Sequence, residues 1–136
     1  MDDSTLDALA RSQLIDMTTT GRRSGQPRRI EIALHSIDGQ LYISGMPRAD
    51  RTRAWILNLE RDPRLTISLK QTAHVDVPAT ARIIDDPVER RKVLELVAAR
   101  WRRTDVDVMV AHSPLIEVTV AGYPRDRGSD HADRAA

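Results

Sequence analysis

Residues 18–29, with the sequence TTTGRRSGQPRR, combine two glycines, a proline and four arginines with no acidic residue. Glycine lets backbone N–H groups approach an anion closely, and the forked guanidinium of arginine binds phosphate through paired donors. The spacing matches neither the P-loop pattern GxxxxGK[ST] nor the dinucleotide-binding pattern GxGxxG. The segment therefore predicts either an anion grip of another kind or an exposed turn with solvated arginines.

A second group of candidate binding residues begins at Asp50, in the sequence DRTRAWILNL. We expect Asp50 to cap a helix that runs to about residue 61. Arg51 then lies in the first turn, where a helix favours a phosphate or a carboxylate. Trp55 could stack on a planar ring or a sugar. The alternative is that Trp55 packs the core and Asn58 caps a neighbouring loop.

No side chain stands out as a general acid, a general base or a nucleophile. The four histidines are scattered without the spacing of metal ligands. Ser36, Ser44 and Ser113 lack the surroundings of a nucleophile elbow. The chain has no cysteine, which excludes disulfides and thiolate catalysis. An enzyme built on this chain must therefore take its chemistry from a bound organic cofactor, and we predict no metal site and no particular catalytic residue.

Composition narrows the classes of function. A chain of 136 residues with a net charge of +1 fits one domain without a global attraction for nucleic acid or an anionic membrane. Aromatic residues make up only 3%, which disfavours base-stacking proteins that bind single strands. No apolar run reaches the roughly 18 residues of a transmembrane helix, and the acidic, polar start is unlike a secretory signal. We therefore expect a cytoplasmic protein.

The hydrophobic pattern predicts six strands, at about residues 14–20, 30–35, 41–45, 65–69, 73–84 and 115–120. It also predicts helices at about residues 4–13, 50–61 and 87–101, with Ser4, Asp50 and Asp86 as caps. Asp38-Gly39 is a hairpin signal, and Pro78 indicates an edge position or a bulge. Polar residues after Trp101 predict a loop. These elements favour one domain over residues 1–122 and a disordered tail over residues 123–136.

Helices this few and this irregularly placed do not suit a doubly wound parallel sheet. The pattern instead predicts a mainly β, α+β fold, an antiparallel barrel of about six strands with two or three flanking helices.

The two groups of residues together resemble the deazaflavin-dependent nitroreductase family of actinobacteria. The resemblance rests on TTTGRRSGQPRR and, about 25 residues later, on RTRAWILNLERDPRLTI, and it covers about residues 14–84. Members of that family are split β-barrels that bind the 5-deazaflavin coenzyme F420. The resemblance therefore implies a split antiparallel barrel and F420 as cofactor, with FMN, which related split barrels use, as the runner-up.

The resemblance also assigns roles to residues. In the family, the glycine-rich corner and the arginine after its proline hold the phosphate-bearing tail of the cofactor. The matching positions here are Gly21, Arg22, Arg23, Ser24, Gly25, Gln26, Pro27 and Arg28. The family's basic residue, tryptophan and asparagine of the next helix match Arg51, Trp55 and Asn58. The strand end whose backbone contacts the ring matches Ser44, Gly45 and Met46.

The chain departs from the family at the substrate end. Met46-Pro47-Arg48 replaces a common Gly-Gly pair, and the proline removes one N–H donor. Arg53 stands where the family often has proline. Family members carry several tyrosines in the C-terminal third, whereas Trp101 is the one aromatic residue within residues 99–121. The resemblance therefore supports binding of the tail more fully than binding of the substrate.

The resemblance implies an oxidoreductase that passes hydride from reduced F420 to an electron-poor small molecule: a quinone, a nitro compound or an activated enone. Arg22, Arg23, Arg28 and Arg51 would neutralise the anionic tail, and Trp55 would form a wall of the pocket. The alternative is a non-catalytic protein that binds a deazaflavin, another flavin or a lipid-like ligand. Split barrels of the family occur as monomers and dimers, so a homodimer is among the expected arrangements.

Overall fold

The computed structural model describes residues 1–124, and residues 125–136 lie outside the described part. The strands are β1 (Gln13–Thr20), β2 (Pro27–Ile37), β3 (Gln40–Ser44), β4 (Arg64–Leu69), β5 (Val75–Ile83) and β6 (Leu115–Thr119). The helices are α1 (Asp3–Leu9), α2 (Ala54–Arg61), α3 (Pro87–Trp101) and α4 (Val106–His112). Within residues 1–124, no helix is long and apolar enough to span a bilayer.

The six strands form one closed antiparallel barrel in the order β1-β2-β3-β6-β5-β4, and β4 pairs with β1 to complete the ring. The long strand β2 pairs with β1 from Pro27 to Leu34 and with β3 from Ala33 to Ile37. At the β2–β3 turn, Asp38 and Gly39 have φ values of 51° and 80°. Two successive left-handed residues are typical of a type I′ hairpin, so this prediction is confirmed.

The sequence-based prediction of a mainly β barrel of six antiparallel strands is confirmed. The predicted number of helices is wrong, because the structure has four helices and not two or three. The missed helix, α4, was expected to be a loop. Its valines at 106, 108 and 110 alternate with the period of a strand, and Met109 is its one buried residue. Local pattern therefore does not identify α4.

The helix starts differ from prediction in two cases out of three. Asp2, not Ser4, caps α1, because its carboxylate accepts a 2.8 Å hydrogen bond from the N–H of Thr5. The predicted cap of α2 is also wrong, as described with the site below. At α3 the prediction is confirmed: the Asp86 carboxylate accepts a 2.9 Å hydrogen bond from the N–H of Glu89.

The apolar side chains form two clusters. The first fills the barrel and includes Ile15, Met17 and Ile67, and α2 adds Trp55 to it. The second lies between the barrel wall and helices α3 and α4, and its members are Ile37, Ile84, Val93, Leu94, Val97, Ala98, Met109 and Leu115. Leu96 of α3 lies outside both clusters and is 45% exposed. The buried stripe instead passes through the i, i+4 pairs 93/97 and 94/98.

Arg90 of α3 holds α4 in place. Its guanidinium donates hydrogen bonds of 2.7–3.4 Å to four backbone carbonyls, those of Ile84, Met109, Val110 and Ser113. Three of these carbonyls belong to the C-terminal end of α4 or to the turn after it, where a helix leaves its acceptors unpaired. Burial lowers the pKa of Arg90, because the charge has lost part of its water.

Tyr123, predicted to begin the tail, belongs to the folded domain. Its N–H donates a 3.0 Å hydrogen bond to the carbonyl of Val120, its side chain packs on the barrel core, and its hydroxyl lies 3.4 Å from the hydroxyl of Ser36. Pro78 lies in the part of β5 that pairs with β4, beyond the segment Thr80 to Ile83 that pairs with β6. Its edge position is therefore confirmed. The predicted tail after Pro124 lies outside the described residues.

His35 lies on the outer face of β2 yet is only 2% exposed, because Trp101 of α3 covers it. The two rings meet edge to face, with centroids 5.0 Å apart. Burial, with a smaller contribution from the charge of Arg100, lowers the pKa of His35 from 6.5 to about 4. The native state therefore holds a neutral imidazole at neutral pH.

This buried histidine predicts the pH dependence of stability. Below pH 6.5 the unfolded chain protonates His35 while the folded chain does not, so the free energy of unfolding falls between pH 6.5 and about 4. The total loss is about 3 kcal/mol. Urea unfolding at several pH values measures it. In His35→Leu the slope over this range should flatten, whereas the exposed-site control His74→Leu should keep it; an unchanged slope in His35→Leu would contradict the assignment.

Candidate functional site

The corner between β1 and β2, which we define as residues 21–28, folds back on itself through short backbone contacts. The N–H of Gly21 donates to the carbonyl of Gln26, and the N–H of Gly25 donates to the carbonyl of Gly21, each at 2.8 Å. Gly25 has a φ of +71°, which favours glycine. The Ser24 hydroxyl accepts from the N–H of Gln26 at 3.1 Å and from the Arg28 guanidinium at 3.3 Å. The corner is therefore a defined turn with its own hydrogen bonds.

The space around position 21 favours glycine. A Cβ atom at this position would come within 2.8 Å of the Ser24 hydroxyl and within 3.1 Å of the Gln26 carbonyl oxygen. The carbonyl belongs to the backbone, so it cannot move aside without opening the turn. The glycines thus shape the corner, and their own N–H groups are occupied within it.

Asn58 of α2 fixes the corner to the rest of the molecule. It is 4% exposed, its amide oxygen accepts a 3.0 Å hydrogen bond from the N–H of Arg22, and its amide nitrogen donates at 3.1 Å to the Thr19 hydroxyl. One side chain therefore joins α2 to the end of β1 and to Arg22, the second residue of the corner. The sequence also allowed Asn58 to cap a neighbouring loop, and the observed geometry fits that interpretation.

A groove of about 600 Å³ lies along the corner and the C-terminal end of α2. Its walls are Thr20, Gly21, Arg22, Arg23, Ser24, Gly25, Arg61, Asp62 and Arg64. The one acid, Asp62, already forms a 2.8 Å ion pair with Arg64. Hydrogen bonds from Arg64 lower the pKa of Asp62 to about 2, so this pair stays ionised at neutral pH.

Three arginine side chains and two backbone N–H groups of the groove have no partner within residues 1–124. Among the described residues, Arg22, Arg23 and Arg61 have no ion-pair partner. Within the same part of the chain, the N–H groups of Arg23 and Ser24 make no hydrogen bond to the protein. Two adjacent free N–H groups beside three free guanidinium groups are suited to an anion such as a phosphate.

A second depression, of about 450 Å³, lies at the opposite end of α2. It is lined by residues 48–53, Ile56, Ile83, Asp85, Arg90 and residues 111–115. Arg51 is exposed here, but it precedes the helix by three residues, so its predicted place in the first turn is wrong. The predicted cap is wrong as well: Asp50 pairs with Arg48 at 3.0 Å, and Arg53 occupies the cap position, where its side chain makes no hydrogen bond to the first turn of α2.

Ser113 lines this second depression with a hydroxyl that has no partner within the described residues. The side chain is 4% exposed, so the hydroxyl is shielded from bulk water. A buried hydroxyl without a hydrogen bond is costly unless a ligand completes it. Sequence reasoning did not find this role, because Ser113 lies outside every motif and is positioned by the unpredicted helix α4.

The predicted ring-contacting strand end lies against the wall of the second depression. Ser44 is buried, and its hydroxyl donates a 2.8 Å hydrogen bond to the carbonyl of Pro114. A Cβ on Gly45 would come within 3.2 Å of Pro114. The carbonyl of Met46 accepts a hydrogen bond from the Arg53 guanidinium. Desolvation, with the charges of Arg48 and Arg51, lowers the pKa of Arg53.

Trp55 lies between the two depressions but lines neither of them. It is 7% exposed and belongs to the core cluster of the barrel, as the packing interpretation of its motif expects. The structure therefore brings the corner residues together at one end of α2 and places Arg51 at the other. The eight residues of α2 separate the two ends by about 12 Å. Arg61 and Arg64 complete the groove, and in the sequence these two basic residues flank Asp62-Pro63, just after α2.

Comparison with known proteins gives a match over most of the chain. A family model described as F420H2-dependent quinone reductase matches residues 4–121. None of the curated proteins compared with the chain matches its sequence.

Solved structures share the fold. A protein described as an F420 reductase superposes with a TM-score of 0.68 at 15% identity, over 90% of this chain and 98% of that chain. The conserved hypothetical protein Rv2991 of Mycobacterium tuberculosis superposes at 0.66 with 23% identity, over 89% and 81% of the two chains. An F420-H2 dependent reductase (FDR-A) superposes at 0.57 with 18% identity, over 78% and 93%. At these identities the likeness establishes a common fold.

The Asn58 bridge predicts a coupling between stability and the corner. Asn58→Ala leaves the Arg22 N–H and the Thr19 hydroxyl without partners, and we expect the free energy of unfolding to fall by about 2 kcal/mol. Hydrogen exchange at the corner amides should quicken at the same time. The control is Glu60→Ala on the exposed face of α2. Unchanged exchange in Asn58→Ala would show that the corner holds its position without this bridge.

Proposed function

We infer that this chain, which belongs to the F420H2-dependent quinone reductase family, is an F420H2-dependent reductase that transfers hydride to an electron-poor organic acceptor. The acceptor class that the resemblance implies comprises quinones, nitro compounds and activated enones. The observation that carries the assignment of the site is the groove at the corner, where free arginines and free N–H groups converge.

The groove is proposed to hold the phosphate-bearing tail of the cofactor. Arg22, Arg23 and Arg61 would supply the positive charge, and the N–H groups of Arg23 and Ser24 would bind phosphate oxygens directly. Arg28 contributes less directly, because its guanidinium supports the turn through Ser24. Gly21, Gly25, Gln26 and Pro27 would act by shaping the corner rather than by contacting the ligand.

The second depression is proposed to receive the deazaflavin ring and the acceptor. The two sites lie at opposite ends of α2, which is about 12 Å long, and this arrangement suits a cofactor with a planar ring at one end and a phosphate at the other. The Ser113 hydroxyl would donate a hydrogen bond to the ring or to the acceptor. Arg51 and Arg53 would place positive charge beside it. The strand end at Ser44, Gly45 and Met46 would form the wall behind the ring.

The chain itself then contributes binding, orientation and exclusion of water. The bound reduced deazaflavin supplies the hydride, and no described residue needs to act as a nucleophile. Residues that hold an acceptor against the bound cofactor would replace a random collision with an oriented reaction. Trp55 and Asn58 would act from behind the site, by fixing α2 and the corner relative to each other.

Binding of the tail is tested by removing two charges from the groove. Arg22→Ala plus Arg23→Ala should weaken the binding of oxidised F420 by about tenfold or more, and the dependence of affinity on salt should flatten. The change in F420 fluorescence polarisation on titration with the protein measures both. Arg11→Ala plus Lys92→Ala removes two exposed charges elsewhere and should change neither. If the groove variant binds F420 as tightly as the wild type does, the phosphate binds outside the corner. If the wild type binds FMN more tightly than F420, FMN replaces F420 as the proposed cofactor.

The ring end is tested by turnover with menadione as acceptor. Ser113→Ala should lower kcat/KM by about fivefold to tenfold, the effect of one lost hydrogen bond of about 1 kcal/mol, while the affinity for oxidised F420 stays close to that of the wild type. Stability should not fall, because the hydroxyl has no protein partner to lose. Ser4→Ala on the exposed surface serves as control. Reoxidation of F420H2 at the background rate by the wild type would instead leave a binding protein without turnover.

Two further expectations stand as proposals. A homodimer is supported by the first part of β2, where residues 27–32 pair with β1 alone among the described strands and leave one backbone edge open. A cytoplasmic location is proposed because the chain belongs to a family of F420H2-dependent reductases. Light scattering of the purified chain measures its oligomeric state and so tests the homodimer.

A further inference from the structure

The second depression, at the N-terminal end of α2, carries more positive charge than its own acids neutralise. The charged side chains that line it are four arginines and two aspartates: Arg48, Arg51, Arg53, Arg90, Asp50 and Asp85. The basic groups therefore outnumber the acidic groups by two. This excess belongs to the depression and not to the protein as a whole, because the full chain has a net charge of only +1.

Each aspartate of the depression has an arginine as its neighbour. Asp50 forms an ion pair with Arg48 at 3.0 Å. The negative charge of Asp85 acts on Arg90, whose guanidinium also donates hydrogen bonds to four backbone carbonyls. These two arginines are therefore provided with partners by the protein, and the excess charge belongs to the other two.

Arg51 and Arg53 carry this excess charge. Within residues 1–124, neither of them forms an ion pair. Arg51 is exposed, whereas Arg53 is half-buried and donates one of its five N–H groups to the carbonyl of Met46. Desolvation lowers the pKa of Arg53, and the charges of Arg48 and Arg51 add to this effect. The arginines are therefore close enough to repel one another.

The same depression offers an apolar surface beside these charges. Ile56, Ile83, Pro114 and Leu115 line it and come from α2, β5 and the beginning of β6. Ligand pockets of proteins measure about 300–1,000 Å³, so a depression of about 450 Å³ has room for a compound of two fused rings. The depression therefore combines an apolar surface for a ring with two positive charges that lack a partner.

We propose that the acceptor of this protein carries a carboxylate or a sulfonate on an apolar ring, and that Arg51 and Arg53 bind this anionic group. The proposal rests on the proposed function, which places the acceptor in the second depression. An anion accepts hydrogen bonds from the free guanidinium N–H groups and offsets the repulsion between the arginines. A neutral acceptor leaves both charges unpaired, so the depression selects an anionic acceptor over a neutral one of the same shape.

Binding of a redox-inactive probe tests the proposal apart from the reaction. Naphthalene-2-carboxylate should bind to the full chain at least fivefold more tightly than naphthalene-2-carboxamide, which has the same shape without the charge. The preference should persist when the chain is saturated with oxidised F420, and added salt should reduce it. Arg51→Gln should lower the preference at least threefold. Arg11→Gln, the same change at an exposed arginine outside the depression, should leave it unchanged. Calorimetric titration measures each Kd.

Turnover then compares menadione with the anionic quinone 1,4-naphthoquinone-2-sulfonate. The ratio of kcat/KM for the sulfonate to kcat/KM for menadione should fall at least threefold in Arg51→Gln and stay constant in Arg11→Gln. Comparison of each variant with the wild type cancels the intrinsic reactivity of the two quinones. If Arg51→Gln lowers kcat/KM equally for both quinones, the charge acts on the anion that hydride transfer creates, and the proposal is wrong.

Three results of the probe titrations would also overturn the proposal. They are equal affinity for the carboxylate and the carboxamide, a preference that Arg51→Gln leaves unchanged, and displacement of the carboxylate by F420, which would mean that the charge binds the cofactor. Failure of the proposed function is distinguishable from these results. It would appear as a wild type that does not bind F420, or that does not reoxidise F420H2 with either quinone, whatever the naphthalene probes show.

Discussion

The arrangement of the site depends on one buried amide. Asn58 bonds at the same time to the last inward-facing threonine of β1 and to the N–H of Arg22 within the corner, so α2 and the corner cannot move independently. The same helix carries Trp55 into the barrel core. Burial of the indole and satisfaction of the amide therefore fix a surface turn from the inside of the molecule. An exposed arginine-rich loop would otherwise lose entropy on binding an anion, and this anchoring removes much of that cost.

The two ends of the short helix α2 offer different chemistry. The corner end is rich in unpaired positive charge, whereas the opposite end adds the unpaired Ser113 hydroxyl and the backbone of the 46–53 loop. Neither end contains a nucleophile poised for attack among the described residues. This is expected of a protein whose cofactor carries out the reaction, because the side chains then need only bind, orient and shield the reactants.

The sequence predicts the barrel and the corner because both are encoded locally. Alternating apolar residues specify the strands, and glycines at 21 and 25 with Asp38-Gly39 specify the turns. The sequence-based prediction fails where tertiary contacts determine the local structure. Helix α4 is held by Arg90 from another element, and His35 is buried only because Trp101 folds over it. Ser113 is placed by the end of α4 and lies outside every motif, so no spacing rule reveals it.

The attachment of α4 has a consequence for how this fold diversifies. Arg90 bonds only to main-chain oxygens, and a main-chain oxygen is present whatever side chain the residue carries. Proline apart, the residues of α4 can therefore be exchanged without breaking the link that holds the helix beside the second depression. The side chains of α4 are then free to change the chemistry of that depression. The second depression can diverge between related proteins while the groove at the corner stays constant.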